Sequence, residues 1–162
     1  MSSTSYRWLM IKITKSPFNL EEEFLKINAD INGGYSFFLG TVRDDINNKN
    51  KKIQSIFLEC YESLANKQLS DIRAQAIKNW NLNNCLIIHR IGKISLGEKI
   101  VLIITASTHR ENAIRACEFI IDNLKVNVAL WKFGISNEKE EAIDFKQKDL
   151  EKFLKWSDVI NY

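Results

Sequence analysis

The sequence predicts an α+β domain in which helices cover a mostly antiparallel sheet. β-rich runs and amphipathic helical stretches are mixed without the regular βαβ alternation of a parallel sheet. The longest apolar runs, such as residues 100–106, are strand-sized. With 162 residues, 45% hydrophobic and 27% charged, the chain suits one domain over residues 1–162 that can bury a core. One proline and six glycines leave no linker that would divide it.

Trp8, Met10, Ile11 and Ile13 mark a first strand, and Asn19 followed by Glu22 can cap a short helix running to about residue 27. Gly33-Gly34 makes a turn. Residues 35–42, YSFFLGTV, form a strand interrupted at Gly40 and followed at once by Arg43. Residues 44–52, DDINNKNKK, are polar and read as a loop with solvated lysines. The strand resumes over residues 53–61, and Leu64, Leu69, Ile72, Ala76 and Trp80 set a helical stripe over about 62–80, long and one-sided enough to cover a sheet. Residues 85–91, CLIIHRI, form another strand, and Gly92 and Gly97 bracket a tight connection to residues 100–106. His89 reads as a satisfied histidine at a sheet edge before it reads as catalytic.

Residues 107–132, STHRENAIRACEFIIDNLKVNVALWK, concentrate the chemistry. Thr108 and Glu111 have capping-box spacing, which starts a helix at His109 and leaves His109 and Arg110 at an anion-friendly helix end. Ala113, Ala116, Cys117, Ile120 and Leu124 give that helix one apolar face, and Lys125 follows where the period stops. After residue 132 come a mixed-charge segment, NEKEEAIDFKQKD, and an amphipathic tail, LEKFLKWSDVI, that can dock on the body.

Several classes are disfavoured. No run approaches the roughly 20 apolar residues of a membrane-spanning helix, and the start lacks a secretory pattern, so a cytoplasmic protein is expected. Cys60, Cys85 and Cys117 are far apart among apolar neighbours and read as reduced core residues; with no C-x-x-C, and with His89 and His109 distant, no metal site and no cofactor are expected. A net charge of +3 suits an anionic small molecule or an acidic partner protein and does not by itself argue for nucleic acid.

Lys125 and Lys132 could act as acid, base or nucleophile if other cations crowd them, although spacing alone favours solvated strand ends. Seven residues of straight strand span roughly 23 Å and point the two ends to opposite faces. Convergence on one pocket therefore requires a bend. Arg43, His109 and Arg110 could cradle a phosphate or could be exposed element ends. Phe37, Phe38 and Trp131 could flank a flat heterocycle or belong to the core.

Six motifs taken in order make the chain resemble the large, catalytic subunit of molybdopterin synthase over about residues 33–146. They are FLGTVR at 38–43, LECY at 58–61, IHRIG at 88–92, GE at 97–98, S-x-HR at 107–110, and a lysine pair, Lys125 and Lys132, separated by six residues with the second in a WK dipeptide. The resemblance implies an α/β-hammerhead fold and a central homodimer. Each end binds a small ubiquitin-like subunit with a C-terminal Gly-Gly thiocarboxylate, completing a heterotetramer. Sulfur would pass from that tail to cyclic pyranopterin monophosphate, forming the dithiolene of molybdopterin, with no nucleic acid or membrane involved. By the same resemblance Lys125 matches the essential lysine nearest the tail and Lys132 the second lysine. Arg43, His109, Arg110 and Phe38 match the substrate pocket, and Lys146 a basic residue reaching across the dimer. The helix start and the lysine pair then become parts of one pocket.

Two departures fall on the active-site strand. The family usually has proline where this chain has Ala129, so packing must hold the bend, and Phe133 and Gly134 replace a basic residue and a glutamate. Competing readings are a non-catalytic dimeric binding or scaffold module that retains the pocket, and a lysine Schiff-base enzyme.

Overall fold

A computed structural model of the chain describes residues 10–43, 53–136, 139–142 and 147–159. The expectations placed on Trp8, on the loop 44–52 and on Lys146 lie outside the described residues. The elements run β1 (Ile11–Thr14), α1 (Leu20–Leu25), β2 (Gly34–Thr41), β3 (Ser55–Cys60), α2 (Glu62–Trp80), β4 (Asn84–Arg90), β5 (Gly92–Ser95), β6 (Lys99–Ser107), α3 (Arg110–Asn127), β7 (Leu130–Ser136), β8 (Lys139–Ala142) and α4 (Gln147–Leu154).

The strands form two four-stranded sheets, β1-β4-β6-β2 and β5-β3-β7-β8. Every pairing is antiparallel except β1 with β4, so the expected α+β class with mostly antiparallel pairing and covering helices is what the chain adopts. Two strands were not expected. The segment between Gly92 and Gly97 is not merely a tight connection, because β5 pairs with β3. The mixed-charge segment contains β8, which pairs with β7.

Strand β4 is apolar throughout its centre because both faces are covered. Cys85 and Ile87 point toward α2 and α3, joining Leu69, Ile72, Phe119 and Ile120. Leu86 and Ile88 point the other way, joining Met10, Phe18 and Ile27 beside α1. His89 therefore lies in an interior strand rather than at a sheet edge, 5% exposed, with β1 on one side and β6 on the other. A third cluster, including Val42, Ile56, Leu58 and Ile94, lines the inner side of the second sheet.

Local chemistry sets the helix ends. The Asn19 side chain accepts from the backbone N–H groups of Glu21 and Glu22, as its position predicts. Asn81 ends α2 in the left-handed region at φ 47°, which asparagine tolerates. Thr108 does not cap α3: the N-cap is His109, and the Thr108 hydroxyl instead accepts from the Asn83 side-chain amide at 3.4 Å. The start of α3 rests closely on the Gly33-Gly34 turn. A Cβ at Gly33 would lie 2.2 Å from the Thr108 carbonyl oxygen, and one at Gly34 would lie 2.9 Å from the Arg110 Cα.

The expected docking of the tail is seen. Trp156, just past α4, is 4% exposed; its ring meets Trp80 and Phe119 edge-on, and its indole N–H donates to Asp122 at 3.0 Å. Lys155 adds an ion pair to Asp122 at 3.2 Å. These contacts bind α4 to the C-terminal half of α3.

Two outcomes follow from this packing. Gly33→Ala forces a methyl group into backbone and should cost about 1–3 kcal/mol in urea unfolding; unchanged stability would mean the turn is looser than described. Burial lowers the His89 pKa to about 4, the hydrogen bond to the Arg90 carbonyl pulling the other way. An unfolded histidine binds its proton near pH 6.5, so between that pH and about 4 the unfolded chain holds more protons and stability falls as pH falls. That loss should have a slope of up to about 1.4 kcal/mol per pH unit, measurable by unfolding at several pH values, and His89→Gln should flatten it.

Candidate functional site

The lysine pair meets at a cavity because the chain reverses sharply after α3. Lys125 sits in the last turn of that helix. Val128 then turns extended, at φ −96° and ψ 124°, and the Leu130 N–H donates back to the Val128 carbonyl at 2.8 Å. The Ala129 N–H donates to the Gln68 side-chain oxygen on α2 at 2.9 Å. A proline at 129 has no N–H and could not make this bond, so the missing proline is replaced by a specific polar contact as well as by packing. Beyond the reversal β7 alternates: Leu130 and Lys132 line the cavity, and Trp131 is 54% exposed. Lys132 is half-buried and lies opposite Leu58 of β3.

The cavity has a volume of about 1050 Å³. Ile56 and Leu58 of β3, Val101 of β6, and Leu124 and Val128 at the end of α3 make its apolar walls. Phe38 of β2 and buried His89 also line it, and Arg43 stands at the end of β2. The His89 Nδ1–H donates to the Arg90 carbonyl at 2.8 Å, so the neutral ring keeps Nε2 as an acceptor. Helix α4 contributes Lys148, Asp149 and Lys152.

The charge balance favours an anion. Arg43, Lys125, Lys132, Lys148 and Lys152 are cationic, and among the described lining residues Asp149 is the one carboxylate. It lies 3.5 Å from the Lys125 ammonium; the side chains are 19% and 43% exposed respectively. Among the described residues no group of three or more His, Cys, Asp or Glu could hold a metal ion. The thiols of Cys60, Cys85 and Cys117 are all shifted upward by burial, Cys85 to about 12, so none is predisposed to act as a thiolate nucleophile.

Phe38, Arg43, Lys125 and Lys132 therefore share one cavity. Phe37 points elsewhere, with its ring 5.7 Å from that of Phe24. His109 and Arg110 are exposed at the opposite end of α3 and do not line the cavity; fifteen residues of helix separate Arg110 from Lys125, about 22 Å along the axis. Sequence reasoning did not single out Gln68, Lys148, Asp149 or Lys152. Helical spacing puts Lys148 and Lys152 on one face of α4, but nothing local says what that face meets. Gln68 carries no local signal, since its partner is 61 residues away.

Comparison with known proteins identifies the family and the fold. The family model described as MoaE protein matches residues 13–127. A molybdopterin synthase catalytic subunit from Pyrococcus abyssi is 34% identical over 136 residues, covering 83% of this chain and 90% of that one. The crystal structure of molybdopterin synthase from Staphylococcus aureus has a TM-score of 0.76 at 28% identity, covering 82% of this chain and 96% of that one. The fold also recurs in a protein–protein complex of subunits 1 and 2 of the molybdopterin-converting factor from Helicobacter pylori. That match has a TM-score of 0.71 at 22% identity and covers 83% of this chain and 90% of that one. The family model spans well over half of the chain and the Pyrococcus relative matches 83% of it, so this chain belongs to the MoaE family.

Proposed function

We propose that this chain, as one cytoplasmic domain, is the catalytic subunit of a molybdopterin synthase. It would move sulfur from the thiocarboxylated Gly-Gly tail of a small ubiquitin-like subunit to cyclic pyranopterin monophosphate. The observation that carries this reading is the convergence of Lys125 and Lys132, from a helix end and a strand, on one cavity with a cationic surplus. The substrate is a phosphorylated heterocycle and the tail is anionic, so both gain from that surplus. A volume of about 1050 Å³ suits a small molecule together with an extended tail.

In each transfer sulfur forms a bond to a carbon of the pterin precursor, which releases the oxygen it carried, and the bond from sulfur to the acyl carbon breaks; water takes over the acyl carbon and leaves the tail a carboxylate. Lys125 meets the tail, positions the thiocarboxylate and transfers protons. Lys132 stabilises negative charge on the substrate or intermediate. Arg43 binds phosphate, and Phe38 flanks the heterocycle. The three thiols take no part, since the sulfur arrives on the partner.

His109 and Arg110 are too far from their own chain's cavity to serve it. A homodimer that brings this helix start against the other copy's cavity completes the cradle, with Lys146 as a further basic residue across the interface. A small subunit at each end then makes a heterotetramer.

Lys125→Ala should bind both the thiocarboxylated partner and the precursor yet form molybdopterin about 10²–10⁴ times more slowly, read by product formation. Undiminished turnover would sink the assignment, and binding without turnover in the unsubstituted protein would favour the scaffold reading. Mixing inactive Lys125→Ala with inactive Arg110→Ala chains should recover up to about a quarter of full activity, because half of randomly mixed dimers carry one intact site of two. No recovery would place His109 and Arg110 outside the site.

A further inference from the structure

We propose that Asp149 is the resting counter-ion of Lys125 and a positioning residue for the reaction: its carboxylate holds the anion position that the C-terminus of the incoming tail takes over. This deepens the proposed function, and it rests on Lys125 being the lysine that meets the tail.

Asp149 is the one acidic side chain among the described residues lining a cavity whose other charged lining side chains are cationic, and its Oδ1 lies 3.5 Å from the Lys125 ammonium. It is the more buried of the two, at 19% against 43%. Its helix is held from beyond its C-terminal end, where the Trp156 indole and the Lys155 ammonium both engage Asp122 of α3. Asp122 and Lys125 belong to that same helix, so the contacts that seat α4 also bring Asp149 to Lys125. A carboxylate fixed beside a flexible ammonium limits where the ammonium can go. The tail also ends in an anion and needs the same ammonium, so tail and Asp149 compete. A position in the first turn of α4 gives Asp149 a favourable dipole interaction as well. That role would be indifferent to the charge at the end of a tail.

The experiment measures the affinity of a synthetic peptide ending in Gly-Gly, as free acid and as C-terminal amide, for the full chain by calorimetry. Asp149→Asn should bind the acid about two- to fivefold more tightly, the size of one part-exposed ion pair, with no gain for the amide. Asp149→Glu should stay near the unsubstituted value, and the gain should vanish in a Lys125→Ala background. Equal or weaker binding of the acid, an equal gain for the amide, or no binding to either chain overturns the proposal. Molybdopterin formation by the unsubstituted chain tests the proposed function separately: turnover with unaltered acid affinity in Asp149→Asn removes this inference alone.

Discussion

Burial of the first sheet on both faces is the constraint on which the rest of the molecule depends. Leu86, Ile88, Leu102 and Ile104 turn to one side, and Cys85, Ile87, Val101 and Ile103 to the other. Each fully buried aliphatic side chain contributes about 1.5–3 kcal/mol, so a shift of register by one residue in β4 or β6 would exchange the two faces at large cost. That rigidity fixes where α3 lies. The Thr105 hydroxyl, donating to the Ala113 carbonyl at 2.6 Å in a dry environment, ties the helix to β6. Once α3 is placed, its two ends are placed as well, one against the glycine turn and one at the cavity.

The second constraint is the reversal between Asn127 and Leu130. In an extended chain Lys125 and Lys132 would be far apart and on opposite faces; a helical last turn shortens the path and the extended Val128 redirects it. The Ala129 N–H is satisfied by Gln68, which ties the chain just before β7 to α2. An unsatisfied N–H in this part-buried position would carry a desolvation penalty. The bend is thus a tertiary feature, made by residues that lie far apart in sequence.

Within the cavity, apolar walls and charged rims divide the labour. Burial keeps His89 neutral and raises the cysteine pKa values, leaving lysine and arginine as the groups that face an anion with charge. The geometry also separates two sets of polar side chains. Arg43 and the lysines belong to the cavity of their own chain, whereas His109 and Arg110 stand on an exposed helix start about 22 Å along α3 from Lys125.

By itself the sequence determined most of the elements, the α+β class, the cap at Asn19 and, through six short motifs in order, the family. Apolar periodicity, turn residues and motif spacing are local properties that survive in a one-dimensional string. Strands β5 and β8 were not legible, because β5 is four residues and β8 a charged run, and each becomes a strand only by pairing with a neighbour. The apparent cap at Thr108 failed because the helix begins one residue later, with His109 as the N-cap, and the Thr108 hydroxyl accepts from Asn83. Tertiary structure alone decided that Lys125 and Lys132 converge, that Gln68 holds the bend and that Asp149 meets Lys125. It also decided that His109 and Arg110 do not reach their own chain's cavity. Each of these depends on how separate elements sit against a common core, and no local pattern encodes that.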